Sequence, residues 1–297
     1  MEPVRHELFH CMGIPVHCTL IGVSETQSAE DAAAVERVFK EWDRTFSRFR
    51  PDSELAVMNA HTGRWNTVSR EMFEVIDACV RLSRDTDGLF DASVGSYLAA
   101  AGYGLPGHFQ RSDAPADYRS IELDADNLRI RCAPGQILEP AGIVKGMAID
   151  AGAAELNYAT AWMINAGGDI LTHGAYPDDR WWRVAIQHPS DTHAAAAVIR
   201  LRDEAIATSG DYEVRWATDT GDWHHQIDMR TRRPTVGLKS VSVIAPTARQ
   251  ADTLASVGFL GGLTRGRAAL DAARVPYLFI DDTDTMHMNT RFRERQN

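Results

Sequence analysis

The chain has 297 residues, 44% hydrophobic and 24% charged, which is long enough for a substantial core and ordinary for a soluble globular protein. Its formal net charge of -10 disfavours nucleic acid or an anionic membrane as the main partner, because both attract basic surfaces. No window nears the ~18 apolar residues of a membrane-spanning helix. The four cysteines, Cys11, Cys18, Cys79 and Cys132, form no CxxC pair that would mark a zinc site or a disulfide framework.

The opening "MEPVRHELFHCMGIPVHCTL" lacks the basic start and unbroken apolar stretch of an export signal, so a reducing cytoplasm is expected. "VHCTLIGV" (16–23) predicts a strand. The stretch 28–50 predicts a helix, with Val35, Val38, Phe39, Trp42 and Phe46 on one face and Pro51 ending it. A second helix follows Ser69 as N-cap, burying Met72, Phe73, Ile76, Cys79 and Val80. "TDGLFDASVGSYL" reads as a turn into a short, partly buried segment, and 117–132 as a hairpin around Asp126 and Asn127.

"EPAGIVKGMAIDAGAAEL" reads as a glycine-bearing loop opening a small-residue helix, and "AWMINAGGDILTHG" as strand, glycine turn and strand. More strands follow in "WWRVAIQHP", 194–216 and "HHQIDMRT". "KSVSVIAPT" leads into a helix over "RQADTLASVGFLGG", and "VPYLFIDD" is a late core strand. Helices and strands mix without βαβ alternation, which predicts an α+β fold of largely antiparallel sheets with packed helices. With neither repeat nor linker, residues 1–297 read as a single domain.

Four segments join glycine to a strand end or a helix start: "AGIVKG" (141–146), "NAGGDI" (165–170), "ATSGDYE" (207–213) and the beginning of the Asp252 helix. Glycine admits a ligand close to the backbone, and Lys145 adds a charge suited to phosphate. Taken singly, each segment reads first as a plain tight turn. Asp252 and Ser256 are spaced i, i+4 on one helix face, a hard-oxygen pair suited to Mg²⁺; the alternative is an Asp favouring the dipole of a first helical turn. His224 and His225 point opposite ways on a strand, so one site cannot readily use both. One of them as acid/base near Asp228 stands against the default of a surface histidine. The nucleophile elbow is absent, and Ser209 has no serine-hydrolase context.

"MGIPV", "FSRFRPDSELAVMN", "TDGLFDASVG", "AGIVKGMAID", "INAGGDI", "ATSGDYE", "HHQID" and "SVIAPTARQADTLASVGFLGG", in that order, resemble the ApbE family, the FAD:protein FMN transferases. The resemblance implies a T-fold-like architecture and transfer of FMN from FAD to a Thr or Ser hydroxyl on an acceptor protein, with release of AMP. It implies Mg²⁺ held by Asp252, Ser256 and the main-chain oxygens of Gly142 and Ala255. It carries FAD contacts onto Met12, Phe49, Leu89, Phe90, Asp91, Glu139, Lys145 and Gln226, and catalytic roles onto His225, Asp252 and Lys145. The nucleophile then belongs to the partner, in keeping with the missing serine or cysteine nucleophile.

Three positions depart from the family pattern. Ser256 replaces a Thr, Glu139 followed by Pro140 replaces an Asp, and in the segment "DP-x-TG-x-P" Met229 replaces a proline and Arg232 the glycine. Two other readings stay open: FAD pyrophosphatase, because the same site could serve water as acceptor, and a non-catalytic FAD-binding protein, because of the altered segment after Asp228.

Overall fold

Val4–Cys11 and Ile14–Ile21 pair antiparallel around Met12 and Gly13, both at positive φ (53° and 76°). That is the two-residue turn whose twist matches a right-handed hairpin. The computed structural model describes residues 2–103, 117–177, 180–212, 214–218 and 221–296. By contact density the chain divides into two compact units: residues 1–41, 145–210 and 236–297 make the first, and 42–144 and 211–235 the second. The helices Glu25–Phe46 and Ala141–Ala153 each contribute residues to both.

The first unit is built on an eight-stranded sheet. Its order is Val4–Cys11, Ile14–Ile21, Ala161–Ala166, Asp169–His173, Ala205–Gly210, Leu238–Ala245, Tyr277–Asp281 and Met286–Met288. Every junction is antiparallel. A separate hairpin, Trp182–His188 with Asp191–Leu201, packs Trp182, Val184, Ile186 and Ile199 against Ile170, Ile206, Ile244 and Leu278 of the large sheet. Ile206 therefore faces that core, and Ser209, of opposite parity on the same strand, faces away from it. On Ser209's side lies the helix Ala248–Gly261, whose Ala248, Ala251 and Ala255 are buried.

The second unit pairs Asn66–Thr67, Arg129–Arg131 and Glu122–Asp124 in a small antiparallel sheet. The helix Arg70–Asp85 begins as expected on Ser69, whose hydroxyl accepts from the Met72 N–H at 3.1 Å. Asn59 clamps Leu138 through two 2.9 Å hydrogen bonds, one to the carbonyl and one from the N–H. Two short hairpins complete it, Arg215–Thr218 with Gly221–His224 and Ile227–Asp228 with Arg233–Pro234.

Fold class agrees with the sequence: helices packed on antiparallel sheet. Two element expectations are corrected. "AGIVKG" is no loop; it forms the first turns of the helix Ala141–Ala153, entered through Pro140, whose fixed φ suits a helix start. The first long helix ends at Phe46, ahead of Pro51, and spans Glu25–Phe46. Among the described residues no helix is long and apolar enough to cross a membrane.

Candidate functional site

Asp252 sits in the second turn of the helix Ala248–Gly261, so the reading of it as a first-turn, dipole-favouring carboxylate does not apply. The helix start is satisfied by other groups. Thr247 accepts from the Gln250 N–H at 3.1 Å, and the Asp150 carboxylate accepts from the Ala248 and Arg249 N–H groups at 2.8 and 2.9 Å. Asp252 is buried and accepts from the Gly146 N–H at 2.9 Å. Gly146 makes this approach possible: a β-carbon there would stand 2.5 Å from the Ala248 carbonyl oxygen and 2.7 Å from Arg249 Cα.

Charge around Asp252 is unbalanced. Lys145 Nζ lies 3.0 Å from Asp169 Oδ2, and Asp169 also accepts from the Thr208 N–H at 3.2 Å. One ammonium thus serves two buried carboxylates, with Asp150 a third acid nearby. Burial, then the Asp169 charge, push the Asp252 carboxyl up to about 7 against the pull of Lys145. Burial raises Asp169 and Asp150 too. One helical turn on, Ser256 Oγ lies 3.2 Å from Ser209 Oγ, and Ala255 between them in sequence is fully buried.

These groups fit a hard divalent cation. A buried carboxylate whose pKa is raised towards neutrality gains from a cation, and a hydroxyl one turn away offers a second oxygen. Among the described residues there is no cluster of three His, Cys, Asp or Glu side chains for a metal. The remaining ligands of such an ion would be main-chain oxygens, water or substrate oxygens, the pattern Mg²⁺ prefers. Asp169 was not singled out in the sequence. Its signal was present, an Asp entering a strand directly after Gly167-Gly168, in a segment quoted only for its glycines.

In the second unit Glu139 is buried, and its Oε2 is 3.1 Å from Arg48 Nη1. Burial raises its carboxyl, opposed by Arg48 and by the Ala141 N–H. Arg48, also not singled out, lies over the rings of Tyr103 (4.1 Å) and Phe49 (4.6 Å). Phe49 is 59% exposed, unusual for a phenylalanine and apt for a ligand's flat face. Leu89, Phe90 and Asp91 are all buried. The Asp91 carboxylate accepts from the Ser93 and Tyr118 N–H groups at 2.8 and 3.0 Å, so its visible role is to hold that loop.

The two histidines separate as their spacing required. His224 is buried, its Nε2 2.8 Å from the Thr235 carbonyl and its Nδ1 accepting from the Gln226 N–H, with burial lowering its pKa. It is a fixed, neutral strut. His225 is half-buried, its Nε2 3.3 Å from Gln226 Nε2. Asp228 is occupied by Arg230 in a two-point pair at 2.9 and 3.1 Å, not by a histidine. Met12, half-buried, occupies the first hairpin turn of the other unit, and Gly142 the first turn of the Lys145 helix. Of "ATSGDYE", Glu213 lies outside the described residues.

The sequence matches the model of the ApbE family over residues 12–279. It is 30% identical to the FAD:protein FMN transferase of Vibrio cholerae over 276 residues, covering 89% of this chain and 82% of that protein. It is 27% identical to the enzyme of the same name from Haemophilus influenzae, covering 92% and 85%. The crystal structure of the ApbE protein of Thermotoga maritima superposes with a TM-score of 0.88 at 25% identity, over 99% of this chain and 100% of that one. The flavin transferase ApbE of Vibrio cholerae gives 0.85 at 27% identity, over 99% and 100%. The chain belongs to the ApbE family.

Proposed function

We propose that this chain, as one transferase domain over residues 1–297, moves the FMN half of FAD onto a Thr or Ser hydroxyl of an acceptor protein and releases AMP. The observation that carries the reading is the group of Lys145, Asp169 and Asp252, in which a buried carboxylate with its pKa raised to about 7 shares a single ammonium. Such a group calls for a further cation, and Mg²⁺ held by Asp252, Ser256 and the main-chain oxygens of Gly142 and Ala255 would supply it. When bound, Mg²⁺ neutralises charge on the pyrophosphate and on the departing AMP.

The chain's own residues have the following roles. Lys145, aimed by Asp169, places positive charge for a phosphate oxygen, its side chain 27% exposed. Met12, Phe49, Leu89, Phe90, Asp91, Glu139 and Gln226 form the FAD contacts, Phe49 offering an open ring face. His225 takes the proton of the attacking hydroxyl as its oxygen bonds to the FMN phosphorus and the phosphorus–oxygen bond to AMP breaks. The products are a phosphoester on the acceptor and AMP. Three buried thiols, Cys18, Cys79 and Cys132, are held protonated by burial, Cys18 and Cys132 at about 12, which suits a cytoplasmic setting.

The test is incubation with FAD and Mg²⁺, with and without a peptide bearing one Thr, followed for AMP and for flavin fluorescence on the peptide. AMP with a labelled peptide supports transfer. AMP without label would make water the acceptor, and tight FAD binding without AMP would leave a carrier.

A further inference from the structure

The turn after Asp228 carries three arginines, Arg230, Arg232 and Arg233, in a protein whose net charge is -10. Arg230 is neutralised by Asp228. The other two are exposed, and among the described residues neither pairs with a carboxylate. Each lies over an aromatic ring instead: Arg232 Cζ is 5.6 Å from the centre of Tyr97, and Arg233 Cζ 5.5 Å from that of Trp223. Ring faces hold a guanidinium in place without cancelling its charge.

Arg232 also stands where its backbone is unfavourable. Its φ is 57°, and its N–H closes the turn on the Asp228 carbonyl at 2.7 Å. A β-carbon makes that conformation costly, whereas glycine adopts it freely. The hairpin Ile227–Asp228 with Arg233–Pro234 closes nonetheless, so replacing glycine and proline leaves the turn formed.

We propose that Arg232 and Arg233, on the hairpin that directly follows His225 and Gln226, form a docking surface for an acidic stretch of the acceptor protein. The inference rests on the transferase reading and adds the acceptor's chemistry to it. Charge complementarity selects the partner: two ring-backed guanidiniums suit bidentate pairing with Asp or Glu side chains. The rest of the acidic molecule repels such a segment, but screening over about 8 Å at physiological salt leaves the nearest charges to decide.

The test measures binding by fluorescence anisotropy with two labelled peptides that share one Thr, one flanked by Asp and Glu and the other by Asn and Gln. A single-stranded oligonucleotide of equal charge is the third probe. The intact protein is expected to bind the acidic peptide about tenfold more tightly at about 50 mM salt, with the margin shrinking by about 300 mM. The variant carrying R232G and R233Q is expected to bind both peptides alike. Arg232→Gly relieves the backbone, so thermal unfolding of the variant should not fall.

Equal binding of the peptides by the intact protein, or a preference retained by the variant, overturns the proposal. So does an oligonucleotide that binds as well as the acidic peptide, which would make the surface a general polyanion site. Flavin transfer is scored on the same peptides. Selective binding without any transfer would sink the transferase reading, and with it the acceptor as occupant of this surface, whereas transfer without selective binding would sink the docking surface alone.

Discussion

Asp252 ties a stability effect to its proposed metal-binding role through one proton. Its folded pKa of about 7 lies above the ordinary 3.8, so the folded protein holds a proton that the unfolded chain would release. The metal-free contribution is therefore full below about pH 4 and is lost as pH rises through about 7. Metal-free protein should melt at progressively lower temperature from about pH 5 to about pH 8, and saturating Mg²⁺ should reverse the trend by binding the carboxylate and displacing the proton. Asp252→Asn cannot titrate; it should flatten the curve and abolish Mg²⁺-stimulated turnover. An Asn variant with the parent's slope would remove Asp252 from this role. Asp169→Asn is a separate case, because it frees the Lys145 ammonium from a 3.0 Å partner. Loss of kcat/KM in Asp169→Asn and Lys145→Met should be strongly non-additive, with a coupling of about 1–3 kcal/mol in the double-mutant cycle. Additive losses would mean the pair does not act as a unit. The placing of Asp252 and Ser256 one turn apart on a helix was legible from their spacing. The Lys145–Asp169 and Arg48–Glu139 pairs were not, since each joins groups far apart in sequence that only the fold brings together.

Elements were legible where local chemistry states them. Ser69 is the hydroxyl cap that announces the helix Arg70–Asp85, whereas the cap Thr247 and the strand Val4–Cys11 were not singled out. The Lys145 helix was misread at its start because small and apolar residues surround it on every side, leaving no amphipathic period, and because two glycines look like a loop. Gly146 answers to tertiary contact. In an exposed helix Gly→Ala would stabilise by about 1 kcal/mol. At Gly146 the added carbon meets backbone at 2.5 and 2.7 Å, atoms that cannot swing aside. Overpacking of that kind costs about 1–3 kcal/mol, so the clash outweighs the propensity. Gly146→Ala should lower the denaturation midpoint and weaken Mg²⁺ binding together, because the same shift lengthens the Gly146 to Asp252 hydrogen bond. A variant of unchanged or raised stability would show that the two helices tolerate separation.

Across the whole molecule, fold class followed from the absence of βαβ alternation, but the strand order did not. In the large sheet Ile14–Ile21 neighbours Ala161–Ala166, and Ala205–Gly210 neighbours Leu238–Ala245, pairings that no local pattern encodes. The charge balance has a consequence at this scale. A chain of net charge -10, with buried carboxylates outnumbering the ammonium beside them, is a poor host for a pyrophosphate alone. It is a better host for a divalent cation, and best for the two together, because each supplies the counter-charge the other lacks. Binding of FAD and Mg²⁺ should therefore be mutually favourable, with a coupling of about 1–3 kcal/mol, or about 5- to 150-fold in affinity. Titration calorimetry of Mg²⁺ into the protein with and without saturating FAD measures it, and linkage requires the same factor when FAD is titrated with and without Mg²⁺. In Asp252→Asn the factor should fall towards one. Identical Mg²⁺ affinities in the presence and absence of FAD in the parent protein would separate the two sites and remove the physical basis for metal-assisted cleavage.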